Sequence, residues 1–204
     1  MVANGASTSL GENKLSRQTE PLSESELHEI SALEENLLTC IGAEAGPFLA
    51  WDTVNRSMIR HWCEAIGDQN LAYSDPTIAE TLGAPKNAVI APPTMMQAWT
   101  MTGFGGQHPL GSDTREQNPA MPYLDKYGYL AVVATNCEQE YHEPICEGDN
   151  ISSHSIIETI SERKKTALGI GYFVTQLTEY QNQHGATVGT MRFRILKYKP
   201  LLSS

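Results

Sequence analysis

Two short stretches of this sequence stand out, and the first holds residue types that can do acid–base chemistry. The first is Gly67-Asp68-Gln69-Asn70-Leu71-Ala72-Tyr73-Ser74-Asp75. The second is Ile90-Ala91-Pro92-Pro93-Thr94, which runs into Met95-Met96-Gln97-Ala98-Trp99-Thr100-Met101. A carboxylate such as Asp68 can hold and deprotonate a water. The same residues also fit a plainer role, because short polar side chains after a helix-stopping glycine often bond their own backbone. Tyr73 is a phenol with an ordinary pKa of about 10, too high for proton exchange at neutral pH. Pro92 and Pro93 have no backbone N–H to give.

A third feature is the run Arg163-Lys164-Lys165, just before Thr166-Ala167-Leu168-Gly169-Ile170-Gly171. Three adjacent cations can clamp phosphates, or they can be the solvated tip of a hairpin. Lys197 and Lys199 are weaker candidates for the same task. His61, His108, His142, His154 and His184 show no metal-ligand spacing, and His142 within Glu140-Tyr141-His142-Glu143 is the one least like a routine surface residue. Cys40, Cys63, Cys137 and Cys146 form no Cys-x-x-Cys pair and read as small buried hydrophobes.

Identifiable elements must position these residues. Ser23 and Glu26 fit a capping box, and Leu22 and Leu27 a hydrophobic staple, so a helix is expected over residues 23–45. Its apolar positions Leu27, Ile30, Leu37, Leu38 and Ile41 would dock on the chain's own domain or on another subunit. Phe48-Leu49-Ala50-Trp51 is a short apolar segment. Met58, Ile59, Trp62, Ala65 and Ile66 recur at helical spacing up to Gly67. Asp75-Pro76 caps and opens a further short helix that Gly83 closes. Met95 to Met101 is apolar nearly all round, which predicts a helix buried on most sides. Gly103 to Gly128 reads as a long polar loop.

Four strands follow, over 129–135, 150–160, 167–178 and 187–198. Leu168, Ile170, Tyr172 and Val174 share one face, and Gly169 and Gly171 on the other leave room for a close approach. Helices first and a meander of long strands afterwards argue for an α+β class, with an antiparallel sheet curved round the apolar helix.

Composition sets the outer bounds. The chain has 204 residues and a formal charge of −10, so a basic nucleic-acid footprint is excluded. Residues 1–45 hold Lys14 and Arg17 against eight Glu, and the polar tail 1–22 has too little apolar area to order itself. No apolar run approaches the ~18 residues of a membrane-spanning helix. The N-terminus lacks a basic segment followed by an apolar one, so a reducing, cytoplasmic compartment is expected.

The two stretches together resemble the hydratase motif of the MaoC-like, hotdog-fold (R)-specific enoyl-CoA hydratases. Gly67, Asp68, Asn70 and Asp75 match its first part, and Ile90 and Ala91 its second. The resemblance covers roughly residues 45–200. It implies a single hotdog domain over 46–200: a central helix at about 93–103 cradled by five or six antiparallel strands, behind the N-terminal helical extension. It also implies hydration of an unsaturated acyl thioester by a carboxylate–imidazole pair, with a backbone N–H facing the thioester oxygen.

Here Tyr73 stands at the family's His position and Pro93 at the oxyanion-donor position. Losing either function costs about 3 kcal/mol of transition-state stabilisation. No catalytic set is therefore intact, and Asp68 and Asn70 are vestigial. The closer resemblance is to the degenerate MaoC-like subunit of heteromeric steroid side-chain enoyl-CoA hydratases, carried by residues 54–66, 91–101 and 194–200.

That resemblance implies a non-catalytic, substrate-accommodating subunit, nearly inactive alone. Its partner would be a smaller MaoC-like chain with an intact Asp/His pair, in a heterodimer or heterotetramer. Arg163, Lys164 and Lys165 would bind CoA phosphates. The CoA thioester is substrate, and no cofactor or metal is implied. A DUF35-type domain that docks a thiolase often follows in that family and is absent from these residues. Three alternatives stand beside this reading: a self-sufficient homodimeric hydratase using Asp68, a non-enzymatic acyl-CoA-binding scaffold, and, more weakly, a thioesterase.

Overall fold

The computed structural model describes residues 22–103 and 105–201. The disordered tail expected over 1–22 lies, but for Leu22, outside the described residues. Among the described residues there are four α-helices: α1 Glu24–Cys40, α2 Arg56–Ile66, α3 Pro76–Thr81 and α4 Ala120–Lys126. Short 3-10 helices occupy Leu71–Tyr73 and Pro93–Trp99. The strands are β1 Glu44–Leu49, β2 Ala131–Tyr141, β3 Ser152–Ile160, β4 Lys164–Lys165, β5 Gly169–Gln181 and β6 Thr187–Pro200. They form one antiparallel sheet in the order β1-β3-β5-β6-β2, with β4 added against β5. Helices packed against one antiparallel sheet give the α+β class expected.

Period-two alternation builds the sheet's packed face. Tyr172, Val174, Gln176, Thr178 and Tyr180 of β5 lie opposite Lys197, Ile195, Phe193, Met191 and Gly189 of β6. Two apolar cores sit at opposite ends of this face. Helices α1 and α4 bury Leu33, Leu37, Ala120 and Leu124 against Ile157, Tyr172 and Val174. The Pro93–Trp99 turn buries Met95, Met96 and Trp99 against Tyr180, Val188 and Met191.

Polar contacts pin the first core. Tyr172 donates to Glu34 at 3.1 Å, and Lys197, 8% exposed, pairs with Asp125 at 2.7 Å. The capping box forms as expected, with Ser23 and Glu26 bonded reciprocally.

The central helix expected over 93–103 is present but shorter, ending at Trp99, and of 3-10 type. Its apolar residues are buried as predicted. Thr94, Thr100 and Thr102 are β-branched, and Gly103, Gly105 and Gly106 follow, so nothing rewards propagation into an α-helix. The missing length lies further on, as α4, inside the stretch read as loop. Strand β1 was also missed. It begins at Glu44, within the span assigned to the N-terminal helix, because a bulge at Ala45–Phe48 breaks its alternation.

The docked stripe of α1 is Ile30, Leu33, Leu37 and Cys40, while Leu27, Leu38 and Ile41 stay exposed. The helix therefore docks on its own domain. Gly169 and Gly171 also differ from expectation. A Cβ on either would strike the Lys199 or Lys197 carbonyl of β6, so the close approach they allow is strand against strand. Cys40 and Cys146 are buried and Cys63 partly so, but Cys137 on β2 is exposed.

Gly189 lets the Pro93–Trp99 turn sit on the sheet: a Cβ there would lie 2.5 Å from both Met96 Sδ and the Glu140 carbonyl oxygen. Gly189→Ala is expected to lower stability by about 1–3 kcal/mol, as overpacking does, measured by urea unfolding.

Candidate functional site

The local structure around Asp68 is built by capping. Asn55 accepts the Met58 N–H to start α2, and Gly67, with φ +73°, ends it. Asp68 then accepts the Asn70 N–H at 3.0 Å, and Asn70 accepts the Ala72 N–H at 3.1 Å to start the Leu71–Tyr73 turn. Asp75 accepts the Thr77 N–H at 2.8 Å and starts α3 at Pro76. One oxygen of each short polar side chain is thus engaged by its own backbone.

The turn brings the expected residues together, in two cavities that share a wall. Asp68 lines one of about 430 Å³ with Arg60, Cys63, Asn70 and Tyr73, and no imidazole lines it. Asn70 and Tyr73 also line a second, of about 290 Å³, with Pro93, Tyr141, His142 and Glu143. Burial pushes the Tyr73 phenol above its ordinary value and the Asp68 carboxylate adds to the rise, so it stays protonated at neutral pH. Pro93 stands at the head of its turn. The first N–H that turn can offer belongs to Thr94. His142, which the sequence singled out without a role, is the imidazole placed beside Tyr73 and Pro93.

The cation run lies elsewhere. Arg163 donates to the Tyr129 hydroxyl at 3.3 Å, Lys164 pairs with Glu162 at 3.7 Å, and Lys165 is exposed. None of the three lines the cavities described here. Lys197 is committed to Asp125, and Lys199 lies over the Tyr129 ring at 4.6 Å.

A further cavity, at about 610 Å³ larger than these two, has no signal in the sequence. It opens between the two cores, where the shortened helix leaves the sheet uncovered. Its floor is Val174, Gln176, Thr178 and Tyr180 of β5 with Met191 and Phe193 of β6. Residues between Gly106 and Asn118 line its other side.

This loop is pinned to strand β1. The bulge in β1 turns the Gly46 N–H out of the ladder, and Asp113 accepts it at 2.7 Å while also chelating Arg115. Ser112 Oγ accepts the Leu49 N–H, and the Asp113 N–H donates to the Pro47 carbonyl. The Arg115 side chain and backbone, with the Gly46 N–H, hold the Asp113 carboxyl well below the usual carboxylate range.

A carboxyl depressed in the folded state contributes stability above its ordinary pKa of about 3.9 and loses it as pH falls through the lowered value. Loop 105–118 is therefore expected to stay protected from amide exchange at pH 5. Asp113→Ala is expected to remove that protection even at pH 7.

Comparison with known proteins places this geometry. The family model for the FAS1-like dehydratase domain region matches residues 40–191. The chain is 41% identical over 168 residues to a probable enoyl-CoA hydratase alpha subunit of Thermomonospora curvata, covering 82% of this chain and 52% of that protein. It is 42% identical over 154 residues to the 3-oxo-4,17-pregnadiene-20-carboxyl-CoA hydratase alpha subunit of Mycobacterium tuberculosis, covering 76% and 48%. The chain thus spans about half the length of these relatives. A chain of the ChsH1-ChsH2 complex from Mycobacterium tuberculosis superposes with a TM-score of 0.74 at 39% identity, covering 85% of this chain and 95% of that one.

Proposed function

We propose that this chain, which belongs to the MaoC-like hotdog dehydratase family, is an enoyl-CoA hydratase subunit, the non-catalytic, substrate-accommodating one of a heteromeric complex acting on a bulky, steroid-like acyl thioester. One observation carries the reading. A protonated Tyr73 and an N–H-less Pro93 flank the place where a base and an oxyanion donor are needed. The Asp68 cavity offers no imidazole to replace them.

In hydration, water adds across the C2=C3 bond of the thioester while charge builds on the thioester oxygen. The partner, a smaller MaoC-like chain with an intact Asp/His pair, would hold the water and move the protons. This chain would hold the acyl body. The 610 Å³ cavity supports that division, since a bulky ring system needs room that a full-length central helix would fill.

The partner would dock along β2, an eleven-residue edge strand paired on one side only, with Leu130 and Val132 exposed. A long unpaired edge invites another strand. Lys164 and Lys165, exposed beside that end of the sheet's central strand, would meet CoA phosphates, with Arg163 holding the turn through Tyr129. A thiolase would be reached through a further DUF35-type domain.

A second reading, a self-sufficient hydratase, draws on His142 beside Tyr73 and Pro93. Assaying the chain alone and with its partner separates the two. Hydration is expected only in the complex, and to survive Asp68→Asn there. Turnover by the lone chain that falls with Asp68→Asn or His142→Ala would overturn the subunit reading. The cavity has its own test. Gln176→Trp in the complex is expected to raise KM for a steroid carboxyl-CoA by about tenfold or more, as misfit in a packed site does, with little change for crotonyl-CoA.

A further inference from the structure

We propose that residues 105–118 form a lid on the cavity between the two cores, latched to the bulge of β1 by Ser112 and Asp113 and hinged at the glycines that follow Trp99. The lid governs entry to the cavity, whatever the cavity holds.

The loop is strung between two firm posts. On one side Trp99 and Thr100 are buried, and Thr100 Oγ1 accepts the Ser153 hydroxyl at 3.2 Å. On the other, Ala120 and Leu124 of α4 are fully buried. Between the posts, no residue from 105 to 118 is buried, and Leu110 at the tip is fully exposed. The loop's ring contact with the sheet is His108 against Phe48, with 6.1 Å between centroids. A segment with so little apolar burial opens separately from the core.

What holds it is polar and lies in one place. Asp113 accepts the Gly46 N–H, Ser112 Oγ accepts the Leu49 N–H, and the Asp113 N–H donates to the Pro47 carbonyl. A further bond, from the Ser155 hydroxyl to the Gln117 carbonyl, sits beside the α4 post. The three β1 groups belong to an edge strand. When the loop swings away, water takes its place on them, so opening strands no buried donor. A wall built to stay would be anchored by buried apolar side chains instead.

The hinge is supplied by Gly105 and Gly106. A Cβ on either would meet no atom within 4 Å, and Gly106 has φ +60°. Packing makes no demand on these positions, and the backbone there is free to turn. While latched, the loop is a fixed wall: Gly106, His108, Thr114 and Gln117 line the cavity opposite Thr178 of β5. Thr178 is 2% exposed, and it lies in one row with Ser155 of β3 and Ala45 at the bulge. Released, the loop uncovers that row from the β1 side.

The test joins the latch to the cavity. Amide exchange of the full chain is followed residue by residue at pH 7. In parallel, a Thr178→Cys variant is alkylated with N-ethylmaleimide and read at position 178 by mass spectrometry. The Gly46, Leu49 and Asp113 amides are expected to exchange at one common rate, protected but faster than the amides of β5. Ser112→Ala is expected to raise that rate and the rate of alkylation together by about fivefold, as loss of one hydrogen bond does, with β5 unmoved. Gly105→Ala, which stiffens the hinge without a clash, is expected to slow both by about twofold. Asp113→Ala removes the latch from its other member should Ser112→Ala fold poorly, and the exchange readings stand without the cysteine variant.

Latch amides that exchange no faster than β5, that are unprotected in the wild-type chain, or that ignore both latch variants overturn the inference. So does alkylation at position 178 that stays constant while the latch amides speed up. None of these outcomes touches the subunit reading, which stands on Tyr73 and Pro93.

Discussion

The architecture turns on where the apolar segment after Pro93 stops being helical. Two prolines start it and a threonine- and glycine-rich run follows it, so only one buried patch, Met95, Met96 and Trp99, is pressed against the sheet. That patch covers one end of the packed face. Its seat depends on Gly189, whose missing side chain lets Met96 reach the backbone of β6. Because helical order ends at Trp99, the middle of the sheet is left for something else to fill.

The rest of the fold compensates for that gap. Helix α1, with α4, covers the far end of the face and forms a second core. Polar ties hold both in place: Glu34 with the buried Tyr172, and the half-exposed Asp125 with the nearly inaccessible Lys197. Removing one partner of such a pair strands the other, so these contacts set position more than they add net stability. The loop between the two cores is fastened to the β1 bulge by Asp113. A bulge that wastes a ladder N–H thus becomes an anchor point, and the cavity gains a wall that is irregular yet fixed.

Chemistry and room are traded against each other. The Asp68 turn keeps the residue spacing of the motif it resembles, but its polar atoms serve as caps, its phenol stays protonated, and the following helix head has no N–H at Pro93. A chain organised this way suits a complex in which another subunit moves protons while this one contains the substrate. The similarity to two hydratase alpha subunits supports a partner subunit.

Much of this was legible in the residues. Local rules gave α1, α2 and α3 through their caps, the four long strands through alternation, and the polar turn at Asp68–Tyr73, because each of these depends on neighbours in sequence; Tyr73 and Pro93 stood out only through the family resemblance. Other features were not legible. The stripe by which α1 docks, the shortened central helix, helix α4 and the bulged strand β1 are decided by which surfaces meet, and propensity alone misjudges them.

The glycines of β5 show the limit well. The sequence says that something comes close; only the sheet register says that it is the carbonyls of β6. The cavity is the extreme case. A void has no residues of its own, so it is set by what long-range packing leaves uncovered, and Gln176, Thr178 and Tyr180 look like ordinary strand positions until the fold turns them toward it.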